Sequence, residues 1–235
     1  MPKKKVAFIT GCSTGLGFST AQRLIESGYT VYATMQSMKN RDLLCKAVKN
    51  SKNLHVIPLD LAKDSDIIKA VETVLDREGR IDVIIHNASS VLIGPVDSAS
   101  PDEVEYLFRV NVFSLIRINQ LFLPQMRKQK SGHIIIISSI SGVESSSYLG
   151  VYAATKFAQE ALASSWATTL SKWNIKTTII EPGAMNTNLP NTANIGTYYN
   201  FLDEDPYKDF NQNALAFLKE CLGNGLNRTT CSSPA

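Results

Sequence analysis

The residues with the most chemistry in them are Tyr152-Ala153-Ala154-Thr155-Lys156. A tyrosine and a lysine four positions apart on a helix share one face, so a phenol and an ammonium can reach the same small volume. A free phenol titrates near pH ~10, and bringing it to about 7 takes roughly 4 kcal/mol at about 1.4 kcal/mol per unit. One ammonium about 4 Å away, at an effective dielectric of about 20, supplies roughly that amount before desolvation is set against it. Such a pair makes Tyr152 a general acid in one direction of a reaction and a general base in the other. The same spacing also describes an ordinary pair on a helix surface, so the surrounding elements decide its meaning.

Apolar runs of strand length alternate with helix-period segments, the pattern of repeated βαβ units around a parallel sheet. Strands are expected near residues 5–10, 29–34, 53–58, 81–86, 132–138 and 175–181, and helices near 15–27, 39–50, 64–78, 101–129 and 151–172. The runs Val83-Ile84-Ile85 and Ile134 to Ile137 are continuous and β-branched, as central strands covered on both faces should be. Ser100-Pro101, followed by Asp102, Glu103 and Glu105, marks a helix start.

The first strand runs into Gly11-Cys12-Ser13-Thr14-Gly15-Leu16-Gly17 and then a helix. Glycines at a strand-to-helix turn suit a dinucleotide: they allow a tight turn, close approach of a pyrophosphate and an open helix N-terminus for the anion. The spacing is GxxxGxG instead of GxGxxG, and a turn built for steric reasons alone would also use glycine. An acid that binds the adenosine ribose is expected at the end of the second strand, about 20 residues on. Here the chain reads Met35-Gln36-Ser37-Met38-Lys39, with Arg41 close behind. With no carboxylate to repel a 2′-phosphate, NADP(H) is favoured over NAD(H).

At these residues the chain resembles the classical short-chain dehydrogenase/reductase family, whose TGxxxGxG segment is matched by Thr10 to Gly17. The resemblance implies a Rossmann-type doubly wound α/β fold. It also implies hydride transfer between NADP(H), or NAD(H), and a carbonyl or secondary alcohol. It places Gly11, Ser13, Thr14, Gly15, Leu16, Gly17, Met35 and Gln36 around the dinucleotide, with Asp60 and Leu61 at the adenine ring. His86-Asn87-Ala88-Ser89 stands for the family's NNAG; Asn87 and Ala88 match, whereas His86, to which no role is given, and Ser89 depart. Pro182, Gly183, Met185 and Thr187 match the PGxxxT segment, the last two implied to meet the nicotinamide carboxamide.

Ser139, at the end of the fifth strand and thirteen residues before Tyr152, matches the family's serine. It is implied to hydrogen-bond the substrate oxygen and stabilise its developing charge. Ser138 and Ser141 beside it are read as satisfying turn backbone. Asn111 resembles the remaining member of the tetrad, implied to hold the helix conformation and a water linking the lysine to solvent. Asparagine is a poor residue for mid-helix, and it is read either so or as a packed structural residue. Tyr152 and Lys156 are implied to be catalytic and to touch the cofactor, whose cationic nicotinamide would add to the lysine's pull on the phenol. Within the family the pattern is nearest to hydroxysteroid- and retinol-dehydrogenase-like members, which act on hydrophobic carbonyls.

Composition narrows the alternatives. A net charge of +3 with scattered basic residues is no nucleic-acid footprint, and 44% hydrophobic with 19% charged residues is no disordered chain. Cys12, Cys45, Cys221 and Cys231 show no metal-ligand spacing, and a reducing cytoplasm is the expected location. No apolar run is long enough to cross a bilayer, so no membrane role is expected. One domain over residues 1–235 is expected, with a substrate lid near 186–215 and a last helix near 211–222. Tyr198, Tyr199, Phe201, Tyr207 and Phe210 suit the lid to a bulky apolar substrate, or pack it against the core. Val91 to Val96 and Val143 to Leu149 are expected as further pocket walls. Family members continue into a seventh strand; this chain stops at Ala235, being either naturally short or truncated.

The rival reading is a catalytically silent dinucleotide sensor or scaffold, against which Ser139, Tyr152 and Lys156 argue. Sugar-nucleotide epimerase chemistry would need a larger C-terminal domain than the length allows. Helices 101–129 and 151–172 resemble those that pair between subunits, which implies a homodimer or homotetramer.

Overall fold

The structure is a computed structural model that describes residues 4–183, 194–196 and 207. In chain order the elements are β1 (Val6–Ile9), α1 (Gly15–Glu26), β2 (Thr30–Met35), α2 (Arg41–Ala47), β3 (Leu54–Pro58), α3 (Asp64–Glu78), β4 (Val83–His86), β5 (Leu92–Ile93), α4 (Pro101–Phe108), α5 (Ser114–Gln129), β6 (Gly132–Ile137), α6 (Gly150–Leu170), β7 (Ile175–Ile180) and β8 (Asn194–Ile195). Six strands form one parallel sheet in the order β3-β2-β1-β4-β6-β7. The order reverses between β1 and β4, and in such sheets a crevice opens at that point beyond the strand ends.

Every residue of β1 is buried because both sheet faces are covered. Val6 and Phe8 join an apolar layer with Ile67, Val71 and Val74 of α3 and Leu115, Ile118 and Phe122 of α5. Ala7 and Ile9 turn the other way, onto Ala21 of α1 and Leu44 of α2. Fully burying a side chain such as Phe122 contributes about 1.5–3 kcal/mol, so these two layers hold the strand ends in place.

Three departures from the expected elements bear on the site. The helix expected over 39–50 is a 3₁₀ turn at Met38–Asn40 followed by the short α2, and Lys49 and Asn50, both at positive φ, stop it. The helix expected over 101–129 starts as anticipated, with a Ser100–Glu103 capping box and Pro101 in its first turn, but a π turn at Arg109–Phe113 divides it into α4 and α5. A second, two-stranded parallel sheet pairs β5 with β8, bringing residues 194–196 back beside Val91 to Gly94. The helix expected at 211–222, most of the lid region, and Tyr198, Tyr199, Phe201 and Phe210 lie outside the described residues.

Candidate active site

The glycine turn leaves β1 at the reversal point. Gly11 has φ +73°, and a Cβ on Gly17 would sit 2.3 Å from the Gly11 carbonyl oxygen and 2.4 Å from Asn87 Nδ2, so neither position accepts a side chain unstrained. Thr14 precedes α1 in an extended conformation; no side chain caps the helix and no acid lies in its first turn. Its first N–H groups and the positive end of its dipole are therefore open to an anion. Cys12 N–H donates to the Thr34 carbonyl at 2.8 Å and Asn40 Nδ2 to the Ser13 carbonyl at 3.1 Å, pinning the loop to the end of β2 and the turn after it.

From β4, Asn87 Nδ2 donates to the carbonyls of Thr10 and Gly11, each at 2.9 Å. The backbone N–H groups of Asn87 and Ala88 both donate to Thr10 Oγ1 at 3.0 Å. Met35 is buried and Gln36 exposed at the end of β2. Asp60 is partly engaged by its own turn, accepting the Ala62 N–H at 3.0 Å and pairing with Lys63 at 3.6 Å. Leu61 packs at the edge of the α3–α5 layer. The Pro182 carbonyl accepts the Ile140 N–H at 3.0 Å, which sets Pro182 and the exposed Gly183 beside the Ser139 turn. Met185 and Thr187 lie outside the described residues.

The residues expected to transfer the proton come from the end of β6 and the start of α6. Ser139 follows β6 and caps a 3₁₀ turn, its Oγ accepting the Ser141 N–H at 3.1 Å. The capping expected of its neighbours is thus done by Ser139 itself, while Ser138 Oγ is buried without a hydrogen-bond partner. Tyr152 and Lys156 start α6, both buried, with Lys156 Nζ 5.6 Å from the centroid of the phenol ring. The Ser89 and Ser139 hydroxyls lie near enough to the tyrosine hydroxyl to act on its titration.

Asn111 lies in the π turn and ties the two ends together. Its Oδ1 accepts the Ser90 N–H at 2.8 Å, and its Nδ2 donates to the Ser90 carbonyl at 2.9 Å and to Thr155 Oγ1 at 3.0 Å. Thr155 Oγ1 donates to the Tyr152 carbonyl at 2.7 Å. Hydrogen bonds and chain neighbours therefore run unbroken from Thr10 through Asn87–Ser90 and Asn111 to Tyr152. The sequence reading quoted Thr10 and Ser89 within motifs without giving either a role, and it missed Ser90 and Thr155. Thr155 had a visible signal, a polar residue between Tyr152 and Lys156 on one helix, and Thr10 and Ser89 stood in quoted motifs; Ser90 had none.

Burial governs the electrostatics. Desolvation brings the Lys156 ammonium down to about 7, opposed by the Glu160 carboxylate. The Tyr152 phenol is pushed above its ordinary value by desolvation, with the Ser89 and Ser139 hydroxyls pulling the other way. The expected downward pull of lysine on phenol is therefore not the dominant effect. The shared helix face is present, but loss of water acts on each group against its charged form. His86 is neutral: burial lowers it to about 4, and its Nε2 lies 3.0 Å from Asn119 Oδ1, a tie between β4 and α5. Burial pushes the Cys12 thiol up to about 12, which rules it out as a nucleophile. Among the described residues there is no cluster of potential metal ligands, and no helix long and apolar enough to cross a membrane.

An anion-seeking helix end and a buried phenol–ammonium pair facing the same strand ends make this a dinucleotide-binding fold of the Rossmann type. A profile of the family described as short chain dehydrogenase matches residues 5–196, and the chain belongs to that family. It is 34% identical over 191 residues to 3-ketodihydrosphingosine reductase of Bacteroides thetaiotaomicron, covering 81% of this chain and 68% of that protein. Human 17-beta-hydroxysteroid dehydrogenase type 1 is 34% identical over 78% of this chain and 58% of its own length, and human retinol dehydrogenase 8 is 32% identical over 78% and 60%. The chain thus matches little more than half of the two human proteins. Among solved structures, a short-chain dehydrogenase from Streptomyces avermitilis superposes with a TM-score of 0.80 at 31% identity, over 92% of this chain and 78% of that one.

Proposed function

We propose that this protein transfers hydride between a nicotinamide dinucleotide and a hydrophobic carbonyl or secondary alcohol. The observation that carries the reading is the bonded path from the Thr10–Gly17 turn to Tyr152, which sets a proton-transfer group at the strand ends where α1 opens. Gly11 to Gly17, Asn87, Ala88 and Lys156 would hold the dinucleotide, with Pro182, Gly183, Met185 and Thr187 at its nicotinamide end. Once bound, the dinucleotide supplies or accepts the hydride. Tyr152 gives a proton to the substrate oxygen in reduction and takes it in oxidation. Ser139 donates a hydrogen bond to the same oxygen as charge develops on it. Asn111 keeps the Tyr152 helix in register with the 87–90 segment.

NADP(H) is the preferred coenzyme in this reading, because no acid stands at Met35–Gln36 and Lys39 and Arg41 follow, both exposed. A hydrophobic substrate is favoured by the apolar cluster of Val91, Leu92, Ile93, Leu107 and Val151 packed around Tyr152. A cytoplasmic homo-oligomer completes the reading, supported by the free Cys12 and Cys45 and by the exposed Phe113 and Phe157 beside α5 and on α6. The test is a spectrophotometric screen of varied ketones and aldehydes with NADPH and NADH, run beside Tyr152→Phe. The substitution should cut turnover by about 10²–10⁴-fold, the usual contribution of a positioned acid–base group, and leave nucleotide affinity unchanged. Full turnover in Tyr152→Phe would sink the assignment, binding without turnover by the wild type would favour the silent sensor, and tighter NADH binding would overturn the coenzyme preference.

A further inference from the structure

The buried polar side chains of α6 do not end at Lys156. Gln159 lies one turn further along the same face and is 2% exposed. Its Oε1 accepts from Lys156 Nζ at 3.2 Å and its Nε2 donates to the main-chain oxygen of Asn111 at 2.6 Å. Chemistry sets the orientation of this amide at both ends. An ammonium only donates and a carbonyl oxygen only accepts, so a flipped amide would oppose NH₂ to NH₃⁺ and oxygen to oxygen.

The carbonyl at the far end belongs to the π turn Arg109–Phe113, where the Ser114 N–H reaches back to Arg109 and the helix is wound wide. Lys156 has a second acceptor, the Ile137 carbonyl at 3.0 Å, at the end of β6. Two of the three ammonium protons are thus committed, and one is left for the reacting groups. Among the charged groups, Glu160 acts on Lys156 by charge, while its buried Oε1 makes no hydrogen bond. The side chain bonded to the ammonium is the neutral Gln159.

We infer that Gln159 is a positioning residue for the proton-transfer pair, an amide strut that holds the Lys156 ammonium between the π turn and the end of β6. The inference rests on the roles proposed above for Tyr152 and Lys156. It implies that the charged state of Lys156 depends on a residue that touches neither substrate nor coenzyme. The groups facing that ammonium are Tyr152, Gln159 and Glu160 from α6, the Ile137 carbonyl from β6 and, through the amide, Asn111 from the π turn. Without the Gln159 oxygen, a desolvated ammonium loses one of two acceptors, and its neutral form gains.

The test titrates Lys156 directly. Protein labelled with ¹³C at the lysine ε-carbons is followed by NMR against pH, and the Lys156 signal is assigned by its loss in Lys156→Met. Gln159→Met should lower the midpoint by about one unit, the size expected for one hydrogen bond to a charged group. Gln159→Glu, which puts a carboxylate oxygen against the ammonium, should raise it. In alcohol oxidation, the limb of the pH–rate profile that reports the phenol should move to higher pH in Gln159→Met. An unchanged lysine midpoint in a Gln159→Met protein with the wild-type circular dichroism spectrum overturns the inference. Should that variant fail to fold, Gln159→Glu decides, and a midpoint no higher than wild type overturns it. The titration needs no substrate, so a wild type without turnover would remove the proposed function while leaving this measurement able to decide on the strut.

Discussion

Replacing Thr10 with valine removes one oxygen and nearly preserves the side-chain shape. Thr10 is 2% exposed, and its Oγ1 is the shared acceptor for the backbone N–H groups of Asn87 and Ala88, each at 3.0 Å. A buried donor left without a partner costs about 1–3 kcal/mol. Asn87 and Ala88 are only half-buried, so water recovers part of that, and the two bonds from Asn87 Nδ2 remain. The expected loss for Thr10→Val is therefore about 2–3 kcal/mol. At roughly 2–4 °C per kcal/mol for a chain of this size, Tm should fall by about 5–10 °C. Thr10→Ser is the control: it keeps the oxygen and deletes a methyl, a loss of about 1 kcal/mol. Urea unfolding followed by tryptophan fluorescence gives the stabilities, and titration with NADPH shows whether the crevice loosens with them. Valine should rank below serine in both. A valine variant as stable as the serine variant, with equal nucleotide affinity, would show that the Thr10 hydroxyl does not pin the strand ends.

Two further perturbations follow from a buried histidine and two exposed phenylalanines. His86 titrates at about 4 when folded against an ordinary 6.5, so only the unfolded chain takes up a proton in that window, and stability should be lost as pH falls from 6.5 towards 4. The loss at the lower end is about 3 kcal/mol, and urea unfolding at pH 7 and 4.5 should find a shallower dependence in His86→Asn than in the wild type. Phe113 at 51% and Phe157 at 45% exposure are large apolar groups beside α5 and on α6, and in the proposed homo-oligomer they lie between subunits. Static light scattering should give a dimer or tetramer for the wild type and a smaller particle for Phe113→Glu/Phe157→Glu; a monomeric wild type would refute the assembly.

What the sequence showed and what it hid divide along a physical line. β1 and β4 were legible because burial on both faces demands continuous apolar runs, and local composition records that demand; β6 carries the same kind of run although only Ile134 and Ile136 of it are fully buried. Tyr152 and Lys156 were legible because four residues of helix place them together whatever surrounds the helix. The tuning of that pair was not. The desolvation that raises the phenol and lowers the ammonium comes from packing against segments tens of residues away, and no spacing rule encodes it. β5 and β8 escaped notice because two-residue strands carry no period, and their pairing joins positions about a hundred residues apart. Asn111 shows both sides of the division. An asparagine within a helical pattern marked itself as unusual, yet its partners Ser90, Thr155 and Gln159 come from elsewhere in the chain, presented by a π turn with no sequence signature of its own. A motif therefore names the groups proposed to exchange the proton, whereas the groups that set the pH of that exchange are placed by tertiary contact. For that reason Gln159, absent from every motif, is the substitution best able to separate the machinery of this site from its adjustment.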